Sequence, residues 1–162
     1  MQSVATNLNE TYDATAQAVA EARSQLADFA RRAGATAEQT DSVRLAASEA
    51  MTNAVLHAYR GEPGSIHVNA AVVNGQLWIL ISDDGCGLEP RADKPGLGLG
   101  LGLISQVSDD FAVVSRASGG TEVRIRFNLV EADDEVAEAP AERRGSTRQR
   151  RFPGCSASMA AA

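Results

Sequence analysis

The stretch "RLAASEAMTNAVLHAYRG", residues 44–61, has the composition of a helix and an unusual line of polar side chains. Alanine dominates it, Gly61 closes it, and Glu49, Asn53 and His57 recur at every fourth residue. Four residues turn an α-helix through about 400°, so these groups form one slowly drifting line on one face. Val43, Ala46, Ala47, Ala50, Met51, Ala54, Val55 and Ala58 surround that line and read as core. Spacing alone fits a solvated polar stripe as well as a site. The rest of the chain has to decide between them.

Working outward, apolar residues from Tyr12 to Arg32 recur at helical spacing, and Gly34 ends that segment. The quoted helix is expected from about Glu38 to Tyr59, where "RGEPG" breaks it. Residues 3–9 read as a short edge strand. Downstream, "SIHVNAAVV" and "QLWILIS" flank Asn74-Gly75, a dipeptide suited to a tight turn with positive φ, and so predict a hairpin. The second of these strands is apolar on both faces, through Leu77, Ile79 and Ile81 and through Trp78 and Leu80. It fits a central strand, or a strand whose second face meets another copy in a homodimer. A glycine-rich loop then leads into a short helix from about Leu101. "FAVVSRA" and "TEVRIRFNLV" form a second antiparallel pair through Ser118-Gly119-Gly120.

Helices and antiparallel strands therefore come in separate blocks. The expected class is α+β: a two-layer sandwich, mainly antiparallel sheet with helices on one face. Residues 1–130 read as one domain. From Glu131 the aliphatic pattern stops, and residues 131–162 read as a disordered charged tail.

Composition narrows the function classes. The formal charge is −6, and the tail holds six acids and five bases, which leaves −5 on the body. A body of that sign is not expected to hold nucleic acid directly through phosphates, but it suits a basic protein surface. No apolar run approaches the roughly 20 residues that span a bilayer, and "MQSVATNLNE" has no basic segment or apolar core of a secretory signal. Cys86 and Cys155 make no disulfide framework, so a reduced, cytoplasmic protein without membrane attachment is expected.

Two further motifs bear on the polar line. "SDDGCG" follows the strongly apolar strand, and "PGLGLGLGL" alternates Gly96, Gly98, Gly100 and Gly102 with leucines. A flexible linker gains nothing from exposed leucines. Leucines that anchor a loop, with glycines freeing backbone N–H groups at a helix start, suit an anion. The run lacks the Lys-Ser/Thr of a Walker A loop and does not follow a strand as a dinucleotide fingerprint does.

The order "SEAMTNAVLHAY", "ISDDGCG", "GLGLGLGL", "GGTEVRIRF" resembles the ATP-binding boxes of the GHKL superfamily of ATPases, and most resembles the bacterial anti-sigma-factor serine/threonine protein kinases. The resemblance covers about residues 8–129. It implies a Bergerat-type ATP-binding fold, with ATP and Mg²⁺ as cofactors. By the same resemblance, Asn53 would hold the Mg²⁺ that bridges the phosphates, and Glu49 would be the general base toward an attacking hydroxyl. Asp83 would accept a hydrogen bond from the adenine amine, with Gly85 and Gly87 turning the chain beside the base. Thr121 would support adenine, and Gly96, Gly98 and Gly100 would offer backbone donors to the phosphates. His57 reads as a satisfied structural histidine rather than a catalytic one, and Cys86 fills a variable slot. Arg91 and Lys94 suit phosphate pairing or plain solvation.

The lid from Leu88 to Pro95 is short and lacks an aromatic, and both histidines, His57 and His67, lie inside the domain. These departures argue against a histidine kinase. The implied activity is a serine/threonine protein kinase that phosphorylates an anti-sigma-factor antagonist and binds a sigma factor. An ATP-binding partner switch without phosphotransfer is the alternative.

Overall fold

A computed structural model describes residues 7–87 and 99–129. The chain runs β1 (Asn7–Asp13), α1 (Ala16–Arg32), α2 (Ala37–Asn53), a π-helical turn (Ala54–Ala58), β2 (Ser65–Val73), β3 (Gln76–Asp83), α3 (Leu99–Val107), β4 (Asp110–Ser115) and β5 (Thr121–Asn128). The five strands form one sheet in the order β1-β2-β3-β5-β4, with every neighbouring pair antiparallel. The fold is the expected α+β sandwich, with the helices on one face of the sheet.

Local chemistry sets the element ends. Thr15 caps α1 by accepting from the Ala18 N–H at 3.3 Å. The α1 C-terminus closes on Gly34 at φ +94°, with the Gly34 N–H on the Arg31 carbonyl and the Ala35 N–H on the Ala30 carbonyl. Thr36 and Gln39 make a reciprocal capping box on α2, both bonds at 3.1 Å. The Gln39 amide also donates to the Asn128 carbonyl at 2.6 Å, so the start of α2 is tied to the end of β5. Asn74 and Gly75 both have positive φ (51° and 72°) and close the β2–β3 hairpin with Val73 opposite Gln76.

The core lies between the helices and the inner face of the sheet. Leu26 of α1, Val43 and Met51 of α2 and Ile104 of α3 are fully buried against Ile66, Ile79 and Ile125 of the strands. Strand alternation assigns the faces: Leu77, Ile79 and Ile81 are buried, while Trp78 and Leu80 between them are half-buried on the outer face. β3 is central in the sheet, and the Arg126 guanidinium lies over the Trp78 ring, 5.6 Å from its centroid.

Three boundaries differ from the sequence reading. The first strand is Asn7–Asp13 rather than residues 3–9, of which 3–6 fall outside the described residues. Tyr12 therefore belongs to a strand: it is buried, it sits opposite Ile66, and its hydroxyl donates to Gln25 of α1 at 2.9 Å. The second helix leaves α geometry after Asn53, and the turn from Ala54 to Ala58 is π-helical. The third helix begins at Leu99 rather than about Leu101, which moves Gly100 from the loop into the helix.

Replacement of the fully buried Leu26 by alanine is expected to lower unfolding free energy by about 2–5 kcal/mol, from lost transfer energy and a residual cavity. Urea denaturation measures it.

Candidate functional site

Asp83, the last residue of β3, is 6% exposed, and its position is fixed by two backbone donors. Its Oδ1 accepts from the Gly85 N–H at 3.0 Å and the Thr121 N–H at 3.2 Å. One carboxylate oxygen thus holds both the turn that follows β3 and the start of β5. Burial is the largest influence on its ionisation and raises its pKa. The two N–H donors oppose that rise, Asp84 adds to it, and Arg116 opposes it.

The turn after Asp83 lies against the π-helical turn. The Cys86 N–H donates to the Ala58 carbonyl at 3.0 Å, and the Cys86 Sγ lies 3.6 Å from the His57 carbonyl. A Cβ on Gly85 would overlap the Ala58 carbonyl, so only glycine allows this approach. Gly120, at φ +84°, closes the other side: a Cβ there would overlap the Asp83 carbonyl. Thr121 is half-buried and reaches Asp83 through its backbone.

Glu49 and Asn53 sit one turn apart near the end of α2, both half-buried. The first turn of α3 closes on them. A Cβ built on Gly100 would overlap the Glu49 carboxylate and lie 3.5 Å from the Asn53 amide nitrogen. The structure therefore brings Glu49, Asn53 and Gly100 together on one side, and Asp83, Gly85, Gly87 and Thr121 on another, with the π-helical turn between them in sequence. Gly96, Gly98, Arg91 and Lys94 lie outside the described residues. His57 does not fit the satisfied structural histidine expected from the sequence: its side chain is exposed, while its carbonyl lies 3.6 Å from the Cys86 Sγ.

A group of residues absent from the sequence reading surrounds Asp84. Its carboxylate meets the Arg116 Nη1 at 2.5 Å and the His67 Nε2 at 2.7 Å, and its N–H donates to the Tyr59 hydroxyl at 2.8 Å. The His67 bond, then the Arg116 bond, hold the Asp84 carboxyl below the usual carboxylate range. The signal available in the sequence was the second Asp of "SDDGCG", which the motif treats as variable.

With this geometry in hand, comparison with known proteins assigns the family. The model of the histidine kinase-like ATPase domain matches residues 12–127. The chain belongs to that family. This histidine kinase-like ATPase domain is 31% identical to an anti-sigma F factor of Clostridium acetobutylicum, over 68% of this chain and 86% of the relative. It is 27% identical to an anti-sigma F factor of Halalkalibacterium halodurans, over 77% of this chain and 94% of the relative. Its fold is similar to a crystal structure of the RsbU and RsbW domains of a Mycobacterium tuberculosis protein, with a TM-score of 0.60 and 26% identity. That match spans 76% of this chain and 32% of the other.

Membership of an ATPase family implies ATP binding. The donor set also bears on a metal. Among the described residues, no group of three or more His, Cys, Asp or Glu side chains could hold a metal ion. One amide oxygen beside one carboxylate fits Mg²⁺ that arrives with phosphates and keeps most of its other ligands as phosphate and water.

Two glycines with similar φ separate strain from collision. Gly34 has nothing within 4 Å of a built Cβ, whereas a Cβ on Gly120 meets the Asp83 carbonyl. Gly34→Ala is expected to cost about 1–2 kcal/mol from the left-handed backbone alone. Gly120→Ala should cost at least about 1 kcal/mol more, read as the difference in urea midpoints at constant m.

Proposed function

We propose that the chain is an ATP-dependent serine/threonine protein kinase that acts as an anti-sigma factor. It would phosphorylate an anti-sigma-factor antagonist and bind a sigma factor in the cytoplasm. The observation that carries the reading is the pairing of Glu49 and Asn53 against the glycine turn of α3. The relatives named anti-sigma F factor support the biological role. No helix among the described residues is long and apolar enough to cross a membrane.

Each residue has a definable task in that reaction. Asp83 accepts from the exocyclic amine of adenine, a group that guanine lacks at that position. Gly85 and Gly87 let the backbone turn beside the base, and Thr121 holds the Asp83 carboxylate ready. Gly100, with Gly96 and Gly98 of the same glycine run, gives the phosphates backbone access without side-chain obstruction. Asn53 would hold Mg²⁺ through its neutral amide oxygen, and the ion would supply neutralisation of phosphate charge. Glu49 takes the proton from the acceptor Ser or Thr hydroxyl as its oxygen attacks the γ-phosphorus in line. The bond from phosphorus to the β–γ bridging oxygen breaks, and ADP leaves. Glu49 is half-buried while its neighbours Ala50 and Ala46 are buried in the core, and this partial exposure supports a role toward a hydroxyl presented from outside.

Incubation of the purified protein with Mg-ATP and candidate antagonist domains tests the kinase reading, with phosphoserine or phosphothreonine on the antagonist as the expected product. Glu49→Gln should lower transfer by about 10²–10⁴-fold while ATP affinity stays within about threefold. Transfer at the wild-type rate by Glu49→Gln would reject the base assignment. Nucleotide-dependent partner capture without any transfer would favour the switch module. Asn53→Ala should weaken ATP binding in Mg²⁺ and leave binding in EDTA nearly unchanged, as read by calorimetric titration.

A further inference from the structure

The Asp84 network joins parts of the chain that are distant in sequence around the turn that follows β3. Arg116, just beyond β4, spans two acceptors with one nitrogen: its Nη1 donates to the Asp83 main-chain carbonyl at 2.9 Å and to the Asp84 carboxylate at 2.5 Å. Arg116 is itself anchored in the β4–β5 connection. Its N–H donates to the Gly120 carbonyl at 3.1 Å, and its carbonyl accepts from the Gly119 N–H at 3.0 Å. His67 of β2 meets the other Asp84 oxygen through Nε2, and its Nδ1 pairs with the Thr11 hydroxyl of β1 at 3.1 Å. Tyr59 accepts from the Asp84 N–H, and its hydroxyl donates to the Ser65 carbonyl at the start of β2. The turn is therefore held from β1, β2, the end of the π-helical turn and β4 together.

A turn made of Asp83, Asp84, Gly85, Cys86 and Gly87 has little stiffness of its own, because glycine leaves the backbone many alternatives. The side chains of the network are too exposed for a large stability role: Arg116, His67 and Asp84 are 28%, 33% and 52% exposed. Ion pairs of that kind contribute little to folding. What they do determine is where the Asp83 main chain sits. We propose that Arg116 and His67, acting through Asp84, are positioning residues for base recognition, which lock the Asp83 carboxylate in place for the adenine amine. The inference rests on Asp83 as the base-recognition residue.

Arg116 also acts on charge. Among the described residues, the charged and titratable groups around the turn include Asp84 and Cys86 in the turn, Arg116 beyond β4, His67 on β2, Tyr59 after the π-helical turn, and Glu122 on β5. The last is taken by Arg124 at 2.6 Å. Of these, Asp84 raises the Asp83 pKa and Arg116 lowers it, against the larger rise from burial. The ionised Asp83 carboxylate is the stronger acceptor for the amine, so binding is strongest above its pKa and weakens as pH falls through it. Loss of Arg116 removes the opposing charge and moves that midpoint upward. Loss of the Asp84 charge does not move it upward. A purely structural role would not split the two variants in this way.

The test is calorimetric titration of the full chain with ADP, and with GDP in parallel, from pH 4.5 to 8. Arg116→Ala is expected to bind ADP about 10-fold more weakly at pH 7.5, to lose part of its ADP over GDP preference, and to shift the acid midpoint up by about half a unit or more. Arg116→Lys, which keeps the charge, should recover most of the midpoint and part of the affinity. Asp84→Asn should weaken ADP binding at pH 7.5 without an upward shift, and His67→Gln should do so to a smaller degree. Wild-type ADP affinity and midpoint in folded Arg116→Ala overturn the inference, as does an equal upward shift in Asp84→Asn. If Arg116→Ala does not fold, wild-type affinity in Asp84→Asn overturns it. ADP binding by Asp83→Asn equal to wild type would instead overturn the Asp83 assignment, and this inference with it.

Discussion

One carboxylate oxygen at the end of the central strand ties together the turn after β3 and the start of β5. Asp83 Oδ1 takes the N–H of Gly85 and the N–H of Thr121, so a single acceptor fixes the turn after β3 and the start of β5. The geometry needs a buried anion, and burial works against that anion by raising its pKa. The surrounding structure offsets this cost with oriented backbone donors and with the Arg116 charge. Glycines at 85 and 120 are then required, because any side chain would push the Ala58 or Asp83 carbonyl away.

The two halves of the site come from different solutions to the same packing problem. On the helix side, α2 is buried along its alanine face, and this leaves Glu49 and Asn53 on the edge where α3 begins. Gly100 lets the α3 backbone come close to both. On the sheet side, strand alternation turns Ile79, Ile81 and Asp83 inward while Trp78 and Leu80 lie half-buried on the outer face. A charged residue on the inner row is tolerated only at the strand end, where backbone N–H groups are free to meet it.

Much of this was legible in the sequence because it depends on local rules. The helical periods read from Tyr12 to Arg32 and from Glu38 to Tyr59 reappear as α1 and α2 with different ends, and the Asn74-Gly75 hairpin and the alternation of the last strand reappear as read. The adjacent Asp83 and Asp84 look alike in the sequence, yet the structure separates them: one is buried on two N–H groups, the other half-exposed on Arg116 and His67. The parts that were not legible depend on distant contacts. Tyr12 has the spacing of a helix residue, yet pairing with β2 makes it a strand residue. His67 and Arg116 have no local mark, since their partner lies 17 and 32 residues away. The exposed His57 shows the same limit, because periodicity places a residue on a face without saying what covers it.

The widened coil at 54–58 carries a constraint on how this architecture can vary. A π-helical turn holds one residue more than the α-helical turn it replaces, and each residue advances the following side chain by about 100° around the axis. Tyr59 stands immediately after it and must reach both Ser65 and Asp84. Removing one residue from this coil would swing the phenol out of range of both. The span between the amide of Asn53 and the phenol of Tyr59 is thus fixed in length to the single residue. Substitutions inside it are tolerable in principle, but insertions and deletions there are not.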